Sequence, residues 1–297
     1  MSINISMFIG PIVSFKDRLF QYARQLSETY TVHIGMDLLT YRIDKTFIKE
    51  TFMKISSIIL STFILCQSVG AFAKSVDYKI SKNTYEGFMI NKGKKAPLVI
   101  IVHDWDGLDG YEVKRSEMLA KLGYSVFALD MFGKGIRPAE VAERKKLTGE
   151  LYKDRNKMRR LMDGALKAAK DNGLNTQNAV VVGYCFGGTS ILEWAKSGVD
   201  LKGFASFHGD LTVNDGDSYQ KTKAKIAVYH GTADEAVSMQ SFADLAVLLE
   251  KEKISHEMMT YSGAPHAFTK FGTERYRKEA DQKSWKHFVG FLAEQLK

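Results

Sequence analysis

Gly183-Tyr184-Cys185-Phe186-Gly187-Gly188 follows a short apolar run, Ala179-Val180-Val181-Val182, and leads into Thr189-Ser190-Ile191-Leu192-Glu193-Trp194-Ala195. The apolar run reads as a strand and the segment after the glycines as the start of a helix. A chain that turns abruptly from strand to helix crowds its own backbone, so residues without Cβ are needed on either side of the corner. The pattern G-x-C-x-G-G is that of a nucleophile elbow, with a thiol at the apex where a serine hydroxyl is commoner. The corner pushes Cys185 outward, and the helix start behind it offers free N–H groups and partial positive charge that favour a thiolate. The other reading is a buried structural cysteine in a strand–turn–helix unit; the glycines at this junction weigh toward a reactive one.

Working outward, short apolar runs alternate with longer amphipathic ones. Strands are expected at 98–103, 125–130, 179–184, 201–207, 225–230 and 257–261, with helices at 111–122, 139–147, 151–172, 189–196, 239–251 and 274–295. Near-continuous Val/Ile strands imply burial on both faces, and strand–helix alternation implies a mostly parallel sheet between two helical layers. Residues 79–90 suit an antiparallel hairpin at the edge of that sheet. No repeat, low-complexity tract or Pro/Gly/Ser linker divides the segment from Lys74 onward, so 74–297 reads as one domain.

The beginning of the chain has a different character. Met53-Lys54, the apolar stretch 55–65 and Ala71-Phe72-Ala73 have the order of a secretory signal peptide, with cleavage expected after Ala73. The apolar stretch is shorter than the ~20 residues a membrane span needs. Residues 1–52, which precede that signal, read as an extension upstream of a start at Met53. Phe63-Ile64-Leu65 before Cys66 lacks the small residues of a lipoprotein site. The chain has two cysteines, and cleavage would leave Cys185 alone, without an intramolecular disulfide. A periplasmic or secreted protein is expected, with no stable membrane insertion after processing.

The net charge is +8, and its densest run is Lys153-Asp154-Arg155-Asn156-Lys157-Met158-Arg159-Arg160. No aromatics are interleaved there, so the run reads as the solvated face of a helix rather than a nucleic-acid site.

Ligands of open parallel sheets bind beyond the carboxyl ends of the strands. The residues expected there are His103-Asp104-Trp105, Asp130, Cys185, His208, His230-Gly231-Thr232-Ala233-Asp234 and Gly263-Ala264-Pro265-His266. A thiol nucleophile needs a base for its proton and an acid that fixes the base's tautomer. Asp234 and His266 are the downstream pair that fits, although each alone could be a helix cap or a polar loop residue. Read as metal ligands, His103, Asp104, His208, His230 and His266 lack the short spacings of zinc sites, and no metal or organic cofactor is expected.

At these motifs the chain resembles the dienelactone hydrolase family of α/β-hydrolases, over about residues 79–292. The matching stretches begin with Val99-Ile100-Ile101-Val102-His103-Asp104-Trp105-Asp106-Gly107-Leu108 and Gly123-Tyr124-Ser125-Val126-Phe127-Ala128-Leu129-Asp130-Met131-Phe132-Gly133-Lys134-Gly135. They continue with the elbow, Phe207-His208-Gly209, His230-Gly231-Thr232-Ala233-Asp234 and Tyr261-Ser262-Gly263-Ala264-Pro265-His266-Ala267-Phe268. The resemblance implies a Cys185–His266–Asp234 triad that hydrolyses a carboxylic ester or lactone through an acyl-thioester. It also implies an oxyanion hole made by the N–H groups of Trp105 and Phe186.

Asp104 stands where the best-known family members carry a glutamate that switches the cysteine between thiol and thiolate. It either keeps that role or only bonds within its loop. His103, Arg137 and His208 are candidates for contacting substrate, and both histidines also suit hydrogen bonds to loop carbonyls. Arg115 and Arg137 lie near site loops but outside the matched motifs. A small-molecule ester or lactone is the expected partner, and a monomer or weak dimer the expected state. A non-catalytic binding protein and a thiol redox sensor are the rival functions.

Overall fold

The computed structural model describes residues 72–296. The expected upstream extension and all of the signal segment except Phe72 and Ala73 lie outside the described residues. The strands are β1 (Phe72–Ile80), β2 (Asn83–Asn91), β3 (Pro97–Val102), β4 (Ser125–Leu129), β5 (Asn175–Tyr184), β6 (Gly203–Phe207), β7 (Lys225–Gly231) and β8 (His256–Tyr261). The helices are α1 (Gly110–Lys121), α2 (Val141–Lys153), α3 (Arg155–Asp171), α4 (Phe186–Lys196), α5 (Met239–Lys251) and α6 (Lys278–Gln295).

One eight-stranded sheet has the order β1-β2-β4-β3-β5-β6-β7-β8. β2 is antiparallel to both β1 and β4, and every pairing from β4 through β8 is parallel. Successive strand side chains point to opposite faces, which sorts β3 between two cores. Leu98, Ile100 and Val102 pack with Met158, Met162 and Ala165 of α3, Trp194 of α4 and Leu245 of α5. Val99 and Ile101 pack with Tyr111 and Leu119 of α1 and Phe288 and Leu292 of α6. Both faces of the central strands are therefore dry, and each Val or Ile buried this way contributes about 1.5–3 kcal/mol.

Two boundaries differ from the sequence reading. The helix expected at 139–147 runs on to Lys153, and Asp154 then breaks the chain into a new helix. The Asp154 side chain accepts the Lys157 N–H at 2.7 Å, which caps α3 where continuous amphipathicity concealed a stop. The basic run at 153–160 thus straddles a helix junction. There Arg159 pairs with Glu193 at 2.9 Å, and Arg155 lies over the Tyr152 ring. Among the described residues no helix is long and apolar enough to cross a membrane.

Candidate active site

β5 lies between β3 and β6 in the middle of the sheet, and Cys185 is the first residue beyond it. Its backbone sits at φ +50 and ψ −113, a strained conformation for a residue with a side chain. A Cβ on Gly183 would lie 2.2 Å from the Gly187 carbonyl oxygen, and one on Gly187 would lie 2.2 Å from that of Val102. The corner can thus be this tight only with glycine at both positions. Cys185 is also the N-cap of α4, with no side-chain cap hydrogen bond.

The three expected side chains meet in a line. Cys185 Sγ lies 3.0 Å from His266 Nε2, and His266 Nδ1 lies 2.8 Å from Asp234 Oδ2. Asp234 Oδ1 accepts the N–H groups of Ala236 and Val237, each at 2.9 Å. Burial pushes the Asp234 carboxyl up, but the His266 hydrogen bond, its charge and the two amides together hold it below the usual carboxylate range. An ionised Asp234 accepts from Nδ1–H and leaves the Nε2 lone pair facing the thiol.

The thiol has a second acceptor in Asp104, whose carboxylate is also within its hydrogen-bonding reach. Burial first, and then the Asp104 charge, push the Cys185 thiol well above its ordinary value, against the Phe186 N–H that favours the thiolate. The thiolate-favouring helix start read from the sequence is therefore one contribution that two larger ones outweigh. Both favour the protonated thiol over the thiolate.

Asp104 is part of an acidic cluster that the sequence reading missed. Lys270 lies in the loop that carries His266, and its ammonium faces Asp104 at 3.7 Å, Asp109 at 3.6 Å and, in a close contact, Asp106. Glu112 is fully buried and accepts the Asp109 N–H at 3.0 Å and the Asp104 N–H at 3.3 Å. Burial, then the nearby Asp109 charge, raise the Glu112 carboxyl well above its usual range. Burial likewise raises Asp104, with Lys270 opposing it. The run Asp104-Trp105-Asp106 with Asp109 and Glu112 was a visible demand for a cation, but nothing in the sequence tied Lys270 to it. Tyr152 was missed as well. Its ring packs against Phe186 at 5.6 Å between centroids, and its hydroxyl bonds the Thr189 side chain.

Several expected substrate contacts are engaged elsewhere. His103 is fully buried, with Nδ1 at 2.6 Å from the Asp104 carbonyl and Nε2 accepting the Met131 N–H at 3.0 Å, so it pins two loops together from beneath. His208 is buried behind the elbow rather than in front of it, with Nδ1 accepting the Cys185 N–H at 3.1 Å. Arg137 donates to the carbonyls of Leu108 and Ile136 and faces Glu86 at 3.7 Å, which commits its fork to holding the 105–108 loop. Arg115 is buried against Asp281 and the ring of Phe271. His103, His208 and Arg137, the three candidate substrate contacts, are thus engaged with backbone groups of the site loops, and of the three Arg137 alone keeps part of its side chain exposed. His230 is also fully buried, with its ring stacked on Phe242. Among the described residues no group of three or more His, Cys, Asp or Glu could hold a metal ion.

Of the two backbone donors expected for an oxyanion, Phe186 N–H faces the thiol. Trp105 N–H is engaged by Asp104 Oδ1 at 2.5 Å.

The model of the dienelactone hydrolase family matches residues 86–296. The chain belongs to the dienelactone hydrolase family. It is similar to a dienelactone hydrolase-like promiscuous phosphotriesterase from metagenomic libraries, at 26% identity and a TM-score of 0.70, over 77% of this chain and 100% of the other. A relative from Bradyrhizobium sp., named "Probable 2-oxo-3-(5-oxofuran-2-ylidene)propanoate lactonase", is 24% identical over 67% of this chain and 84% of its own length. An α/β-hydrolase enzyme from a Medee basin deep-sea metagenome library shares the fold at 13% identity, with a TM-score of 0.58 over 75% of this chain and 98% of that one. Dienelactone hydrolase family membership and the α/β-hydrolase architecture make this chain a hydrolase.

Proposed function

We propose that the chain cleaves a carboxylic ester or lactone by way of a thioester on Cys185. The observation that carries the reading is the line from Sγ through the His266 ring to Asp234, with spacings of 3.0 and 2.8 Å. Loss of the thiol proton to His266 makes the thiolate that attacks the carbonyl carbon. The carbonyl oxygen becomes an oxyanion beside Phe186 N–H and, once Asp104 releases it, Trp105 N–H. Such donors commonly contribute about 3 kcal/mol each to the transition state. As the tetrahedral intermediate collapses, the C–O bond breaks and His266 returns its proton to the leaving oxygen. His266 then takes a proton from water, the hydroxide displaces the thioester sulfur, and the acid leaves as the thiol is restored.

The base and the acid lined up on the thiol support this reading over a redox sensor, which needs neither. All the groups required come from a single chain, in keeping with a monomer or weak dimer. The name of the Bradyrhizobium relative supports lactones as the first compounds to try. A panel of lactones and short acyl esters should show turnover with the natural chain and none with Cys185→Ala. Mass spectrometry of the acid-quenched reaction should show the acyl group on the Cys185 peptide. Turnover that survives in Cys185→Ala would remove the thiol from the chemistry.

We also propose, from the signal-like order of Met53-Lys54, the apolar stretch 55–65 and Ala71-Phe72-Ala73, that the protein is exported to the periplasm or beyond, with signal removal behind Ala73. N-terminal sequencing of the natural product tests this, and a mature chain that retains residues before Lys74 overturns it.

A further inference from the structure

Behind the elbow, His208 joins two parts of the site that the sequence separates widely. A backbone N–H can only donate, so the Cys185 N–H, shared between Phe207 O at 3.0 Å and His208 Nδ1 at 3.1 Å, requires Nδ1 to be bare. The ring proton is then on Nε2, which donates to Thr269 Oγ1 at 2.8 Å. Thr269 belongs to the loop that carries His266. Its hydroxyl continues to Tyr111 OH at 2.7 Å, and its carbonyl accepts Arg115 at 3.0 Å. The His208 ring also lies 5.5 Å from the rings of His266 and Phe268, edge to face.

Protonation would set N–H against N–H at the elbow. Burial first, and then the neighbouring His266, Arg115 and Lys270, hold the imidazole well below its ordinary value and keep it neutral. His208 is 1% exposed.

We propose that His208 is a positioning residue that sets the distance between nucleophile and base, with Nδ1 holding the Cys185 backbone and Nε2 holding the His266 loop through Thr269. The inference rests on the reading of Cys185 as nucleophile. Without the link, elbow and loop move independently, and the 3.0 Å contact between Sγ and Nε2 is held only part of the time. Displacements on the order of 1 Å cost up to about a hundredfold in rate, so a partial loosening is expected to cost about tenfold.

The test cuts the link from each side. His208 has φ +39, a conformation that asparagine tolerates, and an asparagine amide there can still meet the Cys185 N–H but cannot span to Thr269. His208→Asn and Thr269→Val should each lower kcat about tenfold, with KM within about twofold of the natural chain, and the double variant should be little worse than either single one. Thr269→Ser keeps the hydroxyl and should restore kcat. Iodoacetamide labelling of the Cys185 peptide in the full chain should slow by a similar factor.

The proposal is overturned if folded His208→Asn or Thr269→Val keeps the natural kcat. It is also overturned if KM rises while kcat holds, or if the two losses multiply. Should one variant not fold by circular dichroism, the other and the serine rescue decide. Turnover persisting in Cys185→Ala would remove the nucleophile reading instead, while the labelling rate would still report the link.

Discussion

The Asp104 carboxylate accepts the backbone N–H of Trp105 at 2.5 Å. The same carboxylate reaches the Cys185 thiol and raises it. While Asp104 is charged, it suppresses the thiolate and occupies an amide that an oxyanion would use. Neutralising it acts on both at once, because a carboxyl that has taken a proton is a weaker acceptor for an amide. Asp104→Asn should therefore move the pH profile of Cys185 alkylation downward, since removing a nearby negative charge favours the thiolate. A profile that stays in place, measured by iodoacetamide labelling of the Cys185 peptide, would show that the thiol is held up by burial alone.

Lys270 is the cation that faces Asp104, Asp106 and Asp109. Lys270→Met should destabilise the chain by about 3 kcal/mol, the usual cost of leaving buried charges without their partner. The sign of its pH dependence follows from Asp104, whose folded pKa is already raised and would rise further. Such a group destabilises the fold as pH climbs above the ordinary carboxylate range and does so least when both states are protonated. Thermal melts should show a larger loss of Tm at pH 8 than at pH 4. An equal loss at the two pH values would remove the electrostatic explanation.

Asp234→Asn should cost about a thousandfold or more in kcat, because an amide neither fixes the His266 tautomer nor stabilises its cation. The two backbone amides on Oδ1 keep the side chain in place, so the melting temperature should hardly move. Because the Asp234 carboxyl is held below the usual range, it stays ionised as the solution becomes acidic, and the rate profile of the natural chain should show no limb in the ordinary carboxylate range from it. Kinetics with a chromogenic acyl ester check both points.

Gly187→Ala places a methyl against the Val102 carbonyl, where only backbone movement can relieve a 2.2 Å approach. A loss of about 3 kcal/mol or more is expected from overpacking of this kind. Chemical denaturation measures it. A midpoint unchanged from the natural chain would mean that the corner is looser than its geometry implies.

The sequence made the sheet, the elbow and the Cys185–His266–Asp234 order readable because each leaves a local trace. Glycines are forced at the corner, both-faced burial makes Val/Ile runs, and site loops follow strand ends. The histidines show what such traces miss. His103 and His208 follow strands just as catalytic residues do, yet both face inward, and only the packing of the neighbouring loops decides that. Lys270 was illegible for the same reason, since its acids lie on the loop after β3. The helix stop at Asp154 was local but was masked by continuous amphipathicity on either side.

β1 starts at Phe72, with Phe72 and Ala73 registered against Asn91 and Ile90. A protease must take its substrate in an open, extended form, and a peptide bond already laced into a sheet is withheld from it. If a leader is removed behind Ala73, as proposed, removal has to come before the hairpin closes.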